Sequence, residues 1–200
     1  VKLHIDVAAT DGAARSGTIT TPRSTLPTPL FMPVGTKASV KALDAADLEA
    51  LGIPLVLANT YHLMLRPGSE LIADLGGLHR FMDWPGHVLT DSGGYQIFSL
   101  EPKVTDEGAT FRSTYDGDLV HLTPERAAEI QALLGADIQM VLDVCPSLPS
   151  TTPVLRQAVD RTAAWARRGR DAFLAGEGRR EDRGLVQSQF GIVQGGTDVG

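Results

Sequence analysis

The feature that most restricts this chain is an alternation of two kinds of segment. Short apolar runs, LFMPVGT (30–36), IPLVLANTY (53–61), GHVLTDSGG (86–94), DIQMVLDVC (137–145) and FGIVQGG (190–196), are separated by SVKALDAADLEALG, SELIADLGG, TPERAAEIQALLG and TPVLRQAVDRTAAWARRGRDAFLAG, which have helical spacing. A buried strand that feeds a helix and then another buried strand pairs in parallel, because the helix carries the chain back to the same end of the sheet. The expected class is therefore α/β. The last two helical segments open with Thr-Pro and are followed by glycine, the residues that favour a helix start and stop.

Two stretches break the alternation. Residues 1–29 place a turn, TDGAAR, between β-type segments, and 104–122 contain FRSTYDGDLVHL, in which Asp116-Gly117 signals a hairpin. Both are expected to be antiparallel decorations on one domain, with residues 30–200 supplying five β/α strands. CPSLPSTTP reads as a loop leading into a helix.

A hydrophobic content of 42% suffices for a core. The sequence has no apolar run of about 18 residues that could span a bilayer, and the opening VKLHIDVAATDG lacks the charged-then-apolar order of a signal peptide. A cytoplasmic protein without membrane contact is expected. Cys145 is the single cysteine, so neither an internal disulfide nor a cysteine-rich zinc site can be built here. The net charge of −6 argues against non-specific coating of nucleic acid, which needs excess Lys and Arg. The arginines clustered around Trp165, from Arg161 to Arg183, read either as a solvated helix and loop or as a phosphate contact.

Polar residues fall at matching places: Thr36, Asn59, Asp91, Asp143 and Gln194 each lie at or near the end of an apolar run. In parallel α/β sheets and barrels, functional groups gather beyond the carboxyl ends of the strands. Structural roles are open for some of these positions. Asn59-Thr60 can cap a following segment, and Gly93-Gly94 and Gly195-Gly196 can be turns. Asp91 and Asp143 follow fully apolar runs, where a carboxylate must be paired, hydrated or used. Cys145 is either a small apolar filler or a thiolate, and His62, His79, His87 and His121 show no metal-ligand spacing.

The motifs FMPVGTKASVKAL, LANTYHLMLRPG, FMDWPG, LTDSGGYQIFSL, HLTPERAAEIQ, LDVCPS and FGIVQGG resemble, in order and spacing, the tRNA-guanine transglycosylases, or queuine tRNA-ribosyltransferases, from about Pro29 onward. That resemblance implies a TIM-type (β/α)8 barrel, of which this chain is the N-terminal portion. It implies exchange of guanine at the anticodon wobble position of tRNA for a 7-deazaguanine, by double displacement through a covalent enzyme–tRNA intermediate in queuosine biosynthesis. It further implies a homodimer and a structural zinc, with the zinc ligands and a second catalytic aspartate expected beyond residue 200. The 200-residue chain alone is then expected to be inactive. By the same resemblance Asp91 is the proton acceptor and donor, and Ser92, Gly93, Gly94 and Tyr95 complete the base-binding loop. Asp143 and Gln194 hold the purine edge, while Val34, Gln96, Cys145 and Gly195 line the pocket. Val34 and Cys145 match bacterial members, which implies preQ1 rather than queuine as the incoming base.

The residue types suit that chemistry. Guanine presents two adjacent donors, N1–H and the exocyclic amine, which one carboxylate such as Asp143 can accept, and the Gln194 amide can reach O6. Adenine would turn a lone pair on the carboxylate, and a site of this kind discriminates by roughly 10⁴-fold or more. Tyr95 can stack on the ring for about 1–3 kcal/mol. Two other functions remain open from sequence: a non-catalytic accessory subunit of the family, and an unrelated barrel glycoside hydrolase using Asp91 and Asp143 as its carboxylate pair.

Overall fold

A computed structural model describes residues 3–197. The outer limits of the segments expected at 1–29 and 30–200 therefore fall outside the described residues. Strands β1 (His4–Asp11), β2 (Ala14–Thr20) and β3 (Thr25–Thr28) form an antiparallel sheet. Then come β4 (Val34–Gly35), α1 (Ala45–Ala50), β5 (Leu55–Ala58), α2 (Thr60–Leu65), α3 (Ser69–Asp74), α4 (Leu78–Met82), β6 (His87–Thr90) and α5 (Gly94–Phe98). A second antiparallel sheet comprises β7 (Lys103–Val104), β8 (Ala109–Arg112) and β9 (Leu119–Leu122). The chain continues through α6 (Pro124–Leu134), β10 (Ile138–Met140), α7 (Thr152–Ala175), α8 (Glu177–Glu181) and β11 (Ser188–Phe190).

The five expected strands form one parallel sheet in the order β4-β5-β6-β10-β11, each new strand lying beside the one before it. Side chains alternate across it. Leu55, Leu89 and Ile138, with Leu57 and Met140, pack against Leu26, Ile19, Leu30 and Met32, so the N-terminal sheet and its connection cover one face. Val56, Ala58 and Val88 point the other way, into a larger core with Leu63, Ile72, Leu78, Ile130 and Leu134 of the helices. The architecture is mixed α/β, with one parallel and two antiparallel sheets.

Gln131, fully buried on α6, fixes that helix to two strands. Its Oε1 accepts from Thr90 Oγ1 at 2.9 Å and from Met140 N at 3.0 Å, and its Nε2 donates to Met140 O at 2.9 Å. A buried amide with its donors and acceptors satisfied specifies one packing. It holds β6 and β10, the strands that lead to Asp91 and Asp143, in fixed relation.

At the opposite end of these strands Asp137 ties three elements together. Its carboxylate accepts from Arg23 Nε (2.9 Å), Val88 N (2.8 Å) and His79 Nε2 (2.9 Å). Burial alone would raise its pKa, but His79, Val88 N and Arg23 outweigh burial and hold it below the ordinary carboxylate value. A depressed folded pKa stabilises the fold above the unfolded value of about 3.9 and loses that contribution as pH falls through the folded pKa. Asp137→Ala is expected to cost about 2–3 kcal/mol at neutral pH, with a smaller difference from the parent in strong acid. Denaturant unfolding at pH 7 and at low pH checks both.

The structure corrects several sequence boundaries. The helix expected across 39–52 spans only Ala45–Ala50: an Asp44–Asp47 capping box starts it, and Ala42 (φ +63°) is left-handed, which no helix tolerates. The fifth strand is Ser188–Phe190 rather than 190–196. The bond from Val141 N to Phe190 O (3.0 Å) follows the last residue pair of the β10–β11 ladder, and Val193, which read as core, is 97% exposed. The 104–122 decoration has three strands, and β8 and β9 are joined through residues 113–118 instead of a two-residue turn. The run 53–61 ends as a strand at Ala58, and Thr60-Tyr61 begin α2.

Candidate functional site

The β5 and β6 ends are in register: Ala58 pairs with Thr90, and Asp91 N donates to Ala58 O at 3.2 Å. The next two residues, Asn59 and Asp91, therefore emerge together on the side of Leu57 and Leu89. Asn59 Nδ2 donates to Asp91 Oδ2 in a very short contact. Asp91 Oδ1 accepts from Thr60 N (2.8 Å) and Gly93 N (3.1 Å), and Thr60 Oγ1 donates to the Asp91 carbonyl at 2.6 Å. Burial pushes the Asp91 pKa up, while donors from Asn59, Thr60, Gly93 and Gln96 pull against it. Such a carboxyl is set to hold or release a proton nearer neutrality than an exposed aspartate.

Asn59 and Thr60 are the site residues that sequence reasoning undervalued. Asn59 occupies the cap position of α2 but makes no capping bond with its side chain; that amide is spent on Asp91. An Asn-Thr pair at a strand end beside a strand ending in Asp was the available signal.

The second carboxylate, Asp143, lies three residues beyond β10 and is buried. Its Oδ1 accepts from Ser92 Oγ (3.0 Å) and its Oδ2 from Gln194 Nε2 (2.7 Å). Burial raises its pKa and these two donors oppose the rise. Ser92 Oγ also accepts from Gly94 N at 3.1 Å, so a single hydroxyl links the loop after Asp91 to Asp143. Thr162 Oγ1 on α7 accepts from Val144 N (2.9 Å) and pins the chain just past Asp143.

Two glycines permit this approach. Gly93 has φ +79°, a conformation that side-chain-bearing residues rarely adopt, and turns the chain into α5. At Gly94 a Cβ would lie 2.7 Å from Asp143 Oδ1 and 3.1 Å from Ser92 Oγ, so any side chain there would displace the carboxylate.

The other expected pocket residues are placed unevenly. Tyr95 is 74% exposed and free to meet a flat ligand from outside. Val34 pairs with Leu57 and so shares the face that leads to Asn59 and Asp91. Gln96 stands on α5 beside Asp91, and Gly195 directly follows Gln194. Cys145 is half-buried, and burial together with the Asp143 charge pushes its thiol pKa up. That favours a neutral filler over a thiolate nucleophile. Gln194, expected to reach a base directly, here donates to Asp143.

His62, His79, His87 and His121 are packing or surface groups, His121 being exposed beside Thr110 Oγ1 (2.8 Å). His87 is buried against Thr21 Oγ1 (2.8 Å), His79 bonds to Asp137, and His62 Nδ1 meets Tyr115 Oη at 3.0 Å. Among the described residues no group of three or more His, Cys, Asp or Glu is placed to hold a metal ion. Part of the arginine cluster is engaged with this chain's own groups, while Arg167, Arg170 and Arg179 are exposed. Arg168 forks onto Glu125 (2.6 and 2.8 Å), Arg161 bonds Asp106, Arg183 caps carbonyls of α6, and Trp165 is fully buried. The phosphate-contact reading loses those three arginines.

Asp91, half-buried, and Asp143, buried and tied by the Ser92 hydroxyl to the loop after Asp91, stand beyond the carboxyl ends of neighbouring parallel strands, an arrangement suited to proton transfer and to recognition of adjacent N–H donors. The family profile described as Queuine tRNA-ribosyltransferase matches residues 10–199. The chain belongs to the queuine tRNA-ribosyltransferase family. Relatives named queuine tRNA-ribosyltransferase include one from Cereibacter sphaeroides, 51% identical over 198 residues that cover 98% of this chain and 50% of that protein. One from Novosphingobium aromaticivorans is 51% identical over 201 residues, 100% of this chain and 53% of that protein. A third, from Herpetosiphon aurantiacus, is 49% identical over 94% of this chain and 46% of its own length. The chain thus spans about half the length of the queuine tRNA-ribosyltransferases it matches. Asp91, Asp143 and the loop between β6 and α5 all lie inside the matched region. Among the described residues no helix is long and apolar enough to cross a membrane.

Proposed function

We propose that this chain supplies the base-recognition half of a tRNA-guanine transglycosylase, which replaces guanine at the tRNA wobble position by the 7-deazaguanine preQ1 in queuosine biosynthesis. The observation that carries the reading is the Asp91–Ser92–Asp143 constellation, found in a chain of this family. Cleaving a bond between C1′ and a base nitrogen with retention needs an attacking carboxylate and a separate proton donor. Asp91, with a raised pKa and four donors around its carboxylate, suits the second role, giving a proton to the departing guanine and taking one from the entering base. Asp143 suits the paired N–H donors of guanine, with Gln194 beside it for O6 once it turns from Asp143. Tyr95 offers the stacking face. The attacking carboxylate is assigned to residues outside these 200.

The sequential order of the five parallel strands supports a (β/α)8 barrel wall, since a barrel adds neighbours in chain order. A cytoplasmic homodimer completes the proposal. The zinc that the family resemblance implies does not fit the residues present: the lone Cys145 is a neutral thiol and no ligand cluster accompanies it among the described residues. Its ligands are placed outside these residues, and no step is assigned to it.

Metal analysis and a guanine-exchange assay on the purified 200-residue chain test this division of labour. No stoichiometric zinc and no exchange above background are expected; one equivalent of zinc, or exchange comparable to full-length relatives, would contradict it. A second expectation concerns size. Val34 borders the pocket face beside Leu57, where its branched side chain narrows the space available to a bulky substituent on the base. Full-length enzyme should use preQ1 at least about 10-fold better than queuine, the scale of one to two methyl-sized clashes in a pocket. Equal kcat/KM for the two bases would remove the steric argument.

A further inference from the structure

Gln96 is the unexplained group of the site. Its side-chain oxygen is sealed from solvent and is the one buried side-chain N or O atom without a hydrogen-bond partner among the described residues. A buried acceptor without a donor costs on the order of 1–3 kcal/mol, so its presence asks for a function. It stands in the first turn of α5, just past the Gly93 turn that also presents a backbone donor to Asp91. The amide nitrogen is the only donor a glutamine side chain carries, and it is this end that faces the Asp91 carboxylate. Rotating the amide would set oxygen against carboxylate, which fixes the orientation while Asp91 is ionised.

We propose that Gln96 is a positioning residue that couples Asp91 to bound substrate, its nitrogen turned to the carboxylate and its buried oxygen receiving an O–H or N–H donor from the substrate. The inference rests on the reading of Asp91 as the proton-transfer group. When substrate supplies the donor, the amide is held at both ends and keeps Asp91 aimed at the reacting base. When Asp91 takes up a proton, its O–H becomes a donor, and the same amide can turn to accept it. The groups that share this neighbourhood are His62 on α2, with Lys37 beyond it, and Asp143 across Ser92. None of them has an unpaired buried acceptor to offer a substrate donor in place of Gln96.

Three variants of the full-length enzyme test this. Gln96→Met keeps length but removes both amide functions, Gln96→Glu keeps the acceptor and adds a charge beside Asp91, and Asp91→Asn serves as the control. For Gln96→Met, KM for one substrate should rise about 10-fold, for tRNA if the donor is on the sugar and for free base if it is on the base. The limb of the kcat/KM pH profile assigned to Asp91 should move to higher pH, because a donor favouring the carboxylate is lost. Gln96→Glu should shift the limb further while leaving KM near the parent value. Carboxyl ¹³C titration of Asp91 in the 200-residue chain should show the same upward displacement, free of any contribution from His62. Unchanged KM for both substrates, or an unmoved Asp91 titration, overturns the role of Gln96. An active Asp91→Asn enzyme would instead overturn the underlying reading of the site.

Discussion

Asp91→Asn in the full-length enzyme should lower base exchange by roughly 10²–10⁴-fold, the usual contribution of a positioned acid–base group, without unfolding the protein. The structure separates the two effects. Asn keeps an oxygen that can still accept from Thr60 N and Gly93 N, and the Asn59 amide can turn so that its oxygen accepts from the new NH2 group. The sign of the Asp91 shift supports a stable variant. Its folded pKa lies above the ordinary value, so its stabilising contribution is present below the unfolded pKa and is lost as pH rises through the folded one. At neutral pH the native protein bears the cost of a buried charge that the neutral Asn avoids. Thermal unfolding should therefore stay within a few degrees of the parent, or rise, while exchange collapses. Turnover near the parent rate would remove Asp91 from the mechanism.

Asp143→Asn should strike recognition rather than proton transfer. An ionised Asp143 offers only acceptors, and guanine offers two adjacent donors; an amide replaces one acceptor by a donor that opposes N1–H. Sites that read a base through buried hydrogen bonds lose about 10⁴-fold in discrimination when the pairing fails. KM for guanine should rise by about 10²-fold or more, and the preference over adenine should shrink by a comparable factor. Asp143 is also held by Ser92 and Gln194, so some structural loss accompanies the change. Gln194→Leu provides the comparison, since it removes the second donor and leaves the carboxylate in place. If Asp143→Asn retained full discrimination against adenine, the purine edge would have to be read elsewhere.

Much of this was legible in the sequence for specific reasons. The parallel sheet could be read because its strands are rich in apolar residues, with Val56 and Val88 on one face and Leu55, Leu89 and Ile138 on the other, as strands covered on both sides tend to be. Asp91 and Asp143 could be read because a carboxylate after such a run has to be accounted for. The β11 boundary could not, because the FGIV pattern looks like core while Val193 depends on whether a neighbouring strand extends far enough to pair. The start of α1 was hidden for a similar reason: Ala42 has good helix propensity, and only the three-dimensional path to the Asp44 cap puts it at positive φ. Asn59 was obscured by its double meaning, since a strand-end Asn before Thr reads equally as a cap. Its partner Asp91 is 32 residues away, and such a contact leaves no local trace.

Whether this rim is a guanine-type base pocket is decided by titrating the ¹⁵N-labelled 200-residue chain with a soluble 7-deazaguanine and, separately, with adenine. The deazaguanine should produce saturable shifts at the backbone amides of Gly93, Gly94 and Gly195 and at the side-chain amides of Gln194 and Gln96, with adenine producing none of them at equal concentration. Equal responses to both bases, or shifts confined to residues away from Asp91 and Asp143, would contradict the base-pocket assignment.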